Sequence, residues 1–369
     1  MTGSHASTFP GDGVQLASGE TDSMSGQEWI GVTLISDRRH VLEKAAAAAD
    51  APQSRQDEDD RVHLIGPRWL SDLAAALEGL PYGERKELYA VLLESDSSRI
   101  SAVPMRADRA LQAARTPWLP RLLDRNHLFP HFQPIVSLAD GSTYGHEALI
   151  RGRVDDEVMS GGAIFDAARA HRRQFELELR CRTVALERGQ ALVPEDQKLF
   201  VNLDTSGPYD PDTCMRTTRH TARRVDFPMD RICFELIGAG SFPDVALLYR
   251  LLDAYRAEGV SIALTDLGAS NSLGWLRRVR PEIVKLDKGL VYGLDTDPAR
   301  EELIRALVEY AHELGIRVVA EGIETSAELA VVRRLGADYG QGWYLGHPEP
   351  EPVEVDPQLV TGPAEPVGS

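Results

Sequence analysis

An α/β fold is what this 369-residue sequence predicts: a (β/α)8 barrel with an irregular opening, preceded by a small, mainly helical module. Three observations predict it. Downstream of Asn126, short apolar runs alternate with amphipathic stretches, the texture of a parallel α/β fold. Eight strand candidates, counting both arms of a first hairpin, recur between about residues 126 and 350, which suits a closed barrel better than an open sheet. The strand candidates end in polar side chains, and in such barrels chemistry sits at the C-terminal strand ends.

Residues 1–26 are rich in Gly, Ser and Thr and offer little to bury, so a disordered leader is expected there. Residues 27–125 form the accessory module. Within it, Trp29–Ile35 reads as a strand and Arg38–Ala49 as an alanine-rich helix. The acidic run Gln53–Asp60 reads as a solvated loop in preference to a partner patch. Pro67–Leu80 and Tyr82–Glu94 read as amphipathic helices, and Arg106–Leu128 as helix punctuated by Pro117 and Pro120. The barrel spans 126–350. It opens with a hairpin in which His131–Leu138 and Gly145–Ile150 flank the turn Ala139-Asp140-Gly141. Ala163–Gly189 reads as one long helix. Strands are expected at Leu199–Leu203, Arg231–Leu236, Ser261–Leu264, Ile283–Leu286, Arg317–Ala320 and Ala337–Tyr344, with helices at Val245–Glu258, Arg300–Leu314 and Ser326–Leu335 between them. From Pro348 the composition turns to Pro and Glu, which predicts a disordered tail over 351–369.

Lys and Arg number 40 against 57 Asp and Glu, a net charge of −17. That balance argues against general affinity for DNA or another nucleic-acid backbone and against docking on an acidic membrane. A small anion held by a few local basic groups stays compatible with it. Cys181, Cys214 and Cys233 are widely spaced and lack zinc-type pairing, so they read as ordinary thiols of a reducing, cytoplasmic compartment. The first residues have neither a basic start nor an apolar segment, and no apolar run approaches bilayer length.

The stretch from Ser261 to Lys288 carries the densest chemistry. An apolar run, Ile262–Leu264, stops at Thr265 and Asp266, and Gly268 then permits a turn. Taken over all strands, the delivered residues are Glu147, Asn202, Glu235, Asp266, Lys285, Glu321 and Gln341. Four carboxylates and two carboxamides offer hard oxygen donors for Mg²⁺ or Mn²⁺, and the ammonium can stabilise a phosphate. His131, His146 and His347 lack ligand spacing and read as local hydrogen-bonding groups.

These residues also carry a family resemblance. Glu147-Ala148-Leu149-Ile150-Arg151 resembles the motif that names the EAL domain, the family of cyclic-di-GMP phosphodiesterases and their degenerate relatives. The likeness runs from Phe132-Gln133-Pro134 through Val201-Asn202-Leu203, Phe234-Glu235-Leu236, Val284-Lys285-Leu286-Asp287 and Ala320-Glu321-Gly322 to Gln341-Gly342, covering about Leu128–Pro348. It implies a modified, TIM-type barrel with one antiparallel strand, cyclic-di-GMP as ligand, and linear pGpG as product in active members. By position it implies Glu147, Asn202 and Glu235 as ligands of a first metal and Asp266 as the carboxylate serving a second. Arg151 should face a ligand phosphate, with Gln133 and Gln341 on the ligand-binding rim. Lys285 and Glu321 would act at the water and the phosphoryl oxygens. Two cations suit the reaction because it needs both a hydroxide at neutral pH and compensation of charge on the phosphoryl and leaving oxygens.

Three positions depart from the family pattern. Thr265 stands where the family has the metal-bridging aspartate, Gly238 where it has an acid three residues after Glu235, and Asn271 where its loop has an aromatic residue. The expectation is therefore a degenerate EAL domain that binds cyclic-di-GMP or a protein partner, with hydrolysis absent or strongly reduced. The alternatives are a working metal-dependent phosphodiesterase and an interaction scaffold that binds no nucleotide. A partner engaging the N-terminal module and a homodimer are further expectations.

Overall fold

The computed structural model describes residues 29–49, 55–56, 61–94, 104–204, 211–238, 244–268 and 273–362. The expected leader, the acidic run apart from the backbone of Arg55–Gln56, Asn271 and residues 363–369 lie outside the described residues. The chain divides into two compact units, Met1–Arg121 and Leu122–Ser369.

The first unit has both helices and a small sheet. In chain order it runs β1 (Trp29–Ile35), α1 (Arg39–Ala49), β2 (Arg55–Gln56), β3 (Val62–Ile65), α2 (Trp69–Glu78), α3 (Tyr82–Arg85), β4 (Tyr89–Glu94), β5 (Met105–Arg106) and α4 (Ala107–Arg115). The strands form one antiparallel sheet in the order β2-β3-β1-β4-β5. Val32 and Leu34 of β1 are fully buried, as are Leu42 of α1 and Leu73 of α2. The helix expected over Tyr82–Glu94 is corrected to the single turn α3 followed by strand β4. Composition there favours a helix, but burial alternates: Leu88, Ala90 and Leu92 are buried while Tyr89 is exposed. A period of two belongs to a strand with one face on a core. Helix α5 (Trp118–Asp124) then carries the chain across the division.

The second unit begins with β6 (Leu128–Ser137) and β7 (Thr143–Val154), the expected hairpin, and β8 (Glu157–Ser160) folds back on β7. The long helix expected over Ala163–Gly189 is corrected to two, α6 (Gly161–His171) and α7 (Gln174–Leu192). Arg172 breaks them by entering the left-handed region at φ 58°, in a stretch with no Gly or Pro to signal it. The remaining elements are β9 (Lys198–Asp204), α8 (Pro211–Val225), β10 (Ile232–Ile237), α9 (Val245–Ala257), β11 (Ser261–Leu267), α10 (Gly274–Val279), β12 (Ile283–Leu286), α11 (Lys288–Val291), α12 (Pro298–Glu313), β13 (Arg317–Ala320), α13 (Ser326–Arg334), β14 (Tyr339–Gly340) and α14 (Gln358–Thr361). Ladders join β6-β14-β13-β12-β11-β10-β9-β7, and the β6–β7 pairing closes the ring into an eight-stranded barrel. Only β6 runs antiparallel to both of its barrel neighbours, β14 and β7. The strand expected over Ala337–Tyr344 is reduced to Tyr339–Gly340. Beyond it the chain turns so tightly that a Cβ on Gly342 would collide with the backbone of Ile323.

The tail expected from residue 351 is corrected through Gly362. Val355 and Val360 are buried in the barrel's helix-facing core, and the Arg333 guanidinium donates to the Val360 carbonyl at 2.6 Å. Truncation after Pro350 removes both valines from that core, each contributing about 1.5–3 kcal/mol of burial. A clear loss of stability is expected on urea denaturation.

Candidate functional site at the strand ends

The interior of the barrel is layered by the pleat of its strands. A small apolar cluster, Ile135, Phe200, Cys233, Ala263, Ile283, Val319 and Tyr339, forms one layer. Two residues further toward the rim on each strand stand Gln133, Asn202, Glu235, Thr265, Lys285, Glu321 and Gln341. Successive side chains of a strand face opposite sides, so a step of two keeps the same face. The site is thus the polar layer directly above the apolar one, with Glu147 of β7 opposite Gln133 of β6.

Lys285 organises that layer. Its side chain is completely buried, and Nζ lies 3.0 Å from Glu147 Oε2, 2.8 Å from Glu235 Oε1 and 2.7 Å from Glu321 Oε1. Glu147 also accepts from Asn202 Nδ2 at 3.0 Å through Oε1 and from Gln341 Nε2 at 2.8 Å through Oε2. Gln341 Nε2 reaches Gln133 Oε1 at 3.1 Å, and Gln133 Nε2 donates to the Gly346 carbonyl at 3.0 Å. Seven of the expected site residues therefore form one connected network.

One ammonium cannot neutralise three carboxylates, of which Glu147 and Glu235 are buried and the Glu321 side chain is 22% exposed, and their ionisation reflects this. Burial would raise the Glu147 carboxyl, but the Lys285 charge and the hydrogen bonds from Gln341, Lys285 and Asn202 outweigh it and hold it at about 2. Burial pushes Glu235 well above the carboxylate range, reinforced by the charge on Glu147. Glu321 is also raised, first by burial, with the charges of Glu147 and Asp266 adding to it. Burial would lower the Lys285 ammonium, but Glu147, Glu235 and Glu321 outweigh it and push it up.

Thr265 and Asp266 occupy a bulge. Leu264 pairs with Val284 and Leu267 with Leu286, so two residues of β11 stand opposite the single Lys285 of β12. Asp266 takes up the extra residue at φ 56°, a left-handed conformation unfavourable for most side chains, though tolerated by Asp. Thr265 keeps the inward register. It is buried, and its hydroxyl donates to the Leu236 carbonyl at 3.3 Å. Gly238 lies just past β10 at φ 68°, where a side chain meets backbone strain.

Arg151 lies within reach of the Glu147 charge and donates to the Ile150 carbonyl at 2.9 Å. It borders a cavity of about 360 Å³ that Asn202 also lines, with Leu149, Phe165 and Ile237 among its apolar walls. Sequence reading missed the cavity's other charged groups, Arg169, Glu178 and Asp204. They come from helix faces and one strand terminus with no motif to mark them. His131 contacts the Pro348 carbonyl at 3.2 Å, as a local hydrogen-bonding role predicts, and all three cysteines are free.

Among the described residues, no group of three or more His, Cys, Asp or Glu side chains is arranged to hold a metal ion, while Glu147, Glu235 and Glu321 converge on the Lys285 ammonium. In donor type and charge the cluster nevertheless fits a hard divalent cation. It has three carboxylates against one ammonium, beside the Asn202 carboxamide. Glu147, Asn202 and Glu235 would hold it.

The family model of the EAL domain matches residues 116–348. An uncharacterized protein of Azorhizobium caulinodans is 29% identical over 235 residues, which cover 60% of this chain and 31% of that protein. The Escherichia coli protein named probable cyclic di-GMP phosphodiesterase PdeB is 30% identical over 225 residues, covering 60% of this chain and 42% of PdeB. The chain thus spans less than half the length of either relative. The c-di-GMP-bound form of a standalone EAL protein from Vibrio cholerae O395 superposes with a TM-score of 0.57 at 29% identity, covering 63% of this chain and 97% of that one. No helix among the described residues is long and apolar enough to cross a membrane.

Lys285→Met removes the only cation from the buried cluster. In metal-free buffer it should destabilise the protein by about 3–5 kcal/mol, the usual effect of breaking a buried ion pair. Added Mn²⁺ should raise the melting temperature of the variant more than that of the wild type, because the cation takes over the neutralising role. Equal shifts in both proteins would show that the carboxylates do not receive the cation.

Proposed function

Because the chain belongs to the EAL-domain family, we propose that it binds cyclic-di-GMP and hydrolyses it slowly or not at all. The observation that carries the reading is Thr265: register aims this side chain into the barrel beside Lys285, and it brings a neutral hydroxyl where a bridging carboxylate would serve two cations. The rest of the binding set is present. Glu147, Asn202 and Glu235 would hold one Mg²⁺ or Mn²⁺, and Asp266, displaced by the bulge, would serve a second cation weakly. A bound cation supplies charge compensation and an acidic water. The chain's own groups position the ligand: Arg151 beside a phosphate, Gln133 and Gln341 across the rim, and the 360 Å³ cavity around a purine. Support comes from the names of the relatives, one a probable cyclic di-GMP phosphodiesterase and one an EAL protein with c-di-GMP bound.

A slow but working phosphodiesterase is the second reading. It is favoured by the intact contacts of Lys285 with Glu321, Glu147 and Glu235, the groups that would steady a water and the phosphoryl oxygens. In either case we place the protein in the cytoplasm, the compartment that suits three free thiols. We assign to the N-terminal unit the reception of a protein signal, and homodimerisation to the barrel as the family resemblance implies.

The test is incubation of the purified chain with cyclic-di-GMP and Mg²⁺ or Mn²⁺, following pGpG, with binding measured in parallel. Binding with little or no turnover is expected. Thr265→Asp should raise turnover by at least roughly tenfold, the scale of single changes around a metal site. Gly238→Glu should instead cost about 1–2 kcal/mol of stability, because its residue occupies the left-handed region. Steady wild-type turnover that Glu147→Ala abolishes would favour the phosphodiesterase reading, and failure to bind the dinucleotide would overturn both.

A further inference from the structure

The ladder between β7 and β9 stops early. Gly145, His146 and Glu147 pair with Lys198, Leu199 and Phe200, and beyond Phe200 residues 201–204 of β9 pair with β10, as far as Asp204 opposite Ile237. The 360 Å³ cavity is lined by residues just past this parting, Ala148, Leu149 and Arg151 of β7 and Val201, Asn202 and Asp204 of β9. Asn202 nevertheless keeps its carboxamide on Glu147 across the gap, with Nδ2 donating to Oε1 at 3.0 Å. A strand end that has parted from its neighbour needs its backbone groups taken up elsewhere.

Helix α7 supplies that support. The Glu178 carboxylate accepts from the Asp204 backbone N–H at 3.1 Å through Oε1, the part a neighbouring strand's carbonyl would play. Its Oε2 lies 3.7 Å from Nη2 of Arg182, one helical turn further on, and both side chains are almost fully buried. The guanidinium is itself fixed. Nη1 donates to Thr218 Oγ1 of α8 at 3.0 Å and to Tyr255 OH of α9 at 3.2 Å, and the guanidinium carbon lies 5.3 Å from the centre of the Phe234 ring of β10. Replacing a buried ion pair by apolar side chains is often neutral or stabilising, so packing α7 against α8 and α9 does not by itself call for an arginine here. Its placement gives it another task, as the counter-charge of the carboxylate that carries the open end of β9.

Resting on the reading that Glu147, Asn202 and Glu235 would hold a divalent cation, we propose that Arg182, acting through Glu178, is a positioning residue for Asn202. The contacts run from Arg182 to Glu178, from Glu178 to the Asp204 N–H, and from there two residues back along β9 to the carboxamide. Without the guanidinium the buried carboxylate loses its counter-charge and turns toward water, releasing the Asp204 N–H and the end of the strand with it.

The test is Mn²⁺ binding to the full chain by calorimetric titration, without nucleotide, so that contacts of Glu178 in the cavity do not enter. Arg182→Met should weaken Mn²⁺ binding by roughly ten- to a hundredfold, the scale for partners of metal ligands, and Arg182→Lys should recover most of it. Tyr255→Phe removes a hydrogen bond between the helices but leaves the ion pair, so it should bind Mn²⁺ like the wild type whatever its melting temperature. In an Asn202→Ala background Arg182→Met should cost little further affinity, because the side chain it positions is gone. Unchanged Mn²⁺ affinity in folded Arg182→Met overturns the positioning role and leaves the cation reading standing. So does equal weakening by Tyr255→Phe, which would assign the effect to general loosening, and so does full additivity with Asn202→Ala. Where Arg182→Met does not fold, the double variant Arg182→Met/Glu178→Met, which leaves no lone buried charge, takes its place with the same outcomes. A wild-type chain that binds no Mn²⁺ overturns the cation reading itself, and the positioning role with it.

Discussion

A lysine with no access to solvent, held by three carboxylates, is the constraint on which the barrel's functional end depends. Lys285 draws Glu147 from β7, Glu235 from β10 and Glu321 from the end of β13 onto one point. Burying charges is costly unless each is paired and hydrogen-bonded, and here the pairing is incomplete by charge count. The imbalance appears as a split in carboxyl behaviour, with Glu147 held low and Glu235 and Glu321 pushed up. The same lysine stands beside the groups whose oxygen donors would suit a metal.

The pleat converts this electrostatic centre into an architecture. Each inward-facing residue of the apolar layer lies two positions from a polar group of the site, which follows it on the parallel strands and precedes it on antiparallel β6, so the apolar floor fixes the height of the polar layer. The β11 bulge interrupts that rule at one place. Opposite Lys285 it offers Thr265 in the inward register and Asp266 in a left-handed conformation one step away. The carboxylate is retained but re-aimed, and the hydroxyl takes the inward position. In the proposed function this single irregularity separates ligand binding, which draws on Arg151, Gln133 and Gln341, from hydrolysis, which needs the bridging charge.

The antiparallel strand β6 has a comparable influence on the rim. It sits between β14 and β7 and brings Gln133 under Gln341 and Glu147. It also holds the Gly346 carbonyl. The network from Asn202 to Gly346 is therefore continuous across the closing seam of the barrel.

The sequence by itself determined the barrel, its opening hairpin and almost all of the polar layer. Residues such as Glu235 and Lys285 stand at the ends of short apolar runs, and strand period and polarity are local properties. Local patterns misled where burial decided the outcome: β4 carries helix-favouring residues but alternates in burial, and α6 and α7 part at Arg172 without a Gly or Pro. Val355 and Val360, in a Pro- and Glu-rich segment, bury only because the barrel offers them a core. Only the tertiary structure decided that Lys285 engages three carboxylates, that Thr265 donates to the Leu236 carbonyl, and that Glu178 and Asp204 share a cavity with Arg151. Those relations join residues tens to hundreds of positions apart. They depend on strand register and barrel closure, which a linear pattern of side chains leaves unspecified.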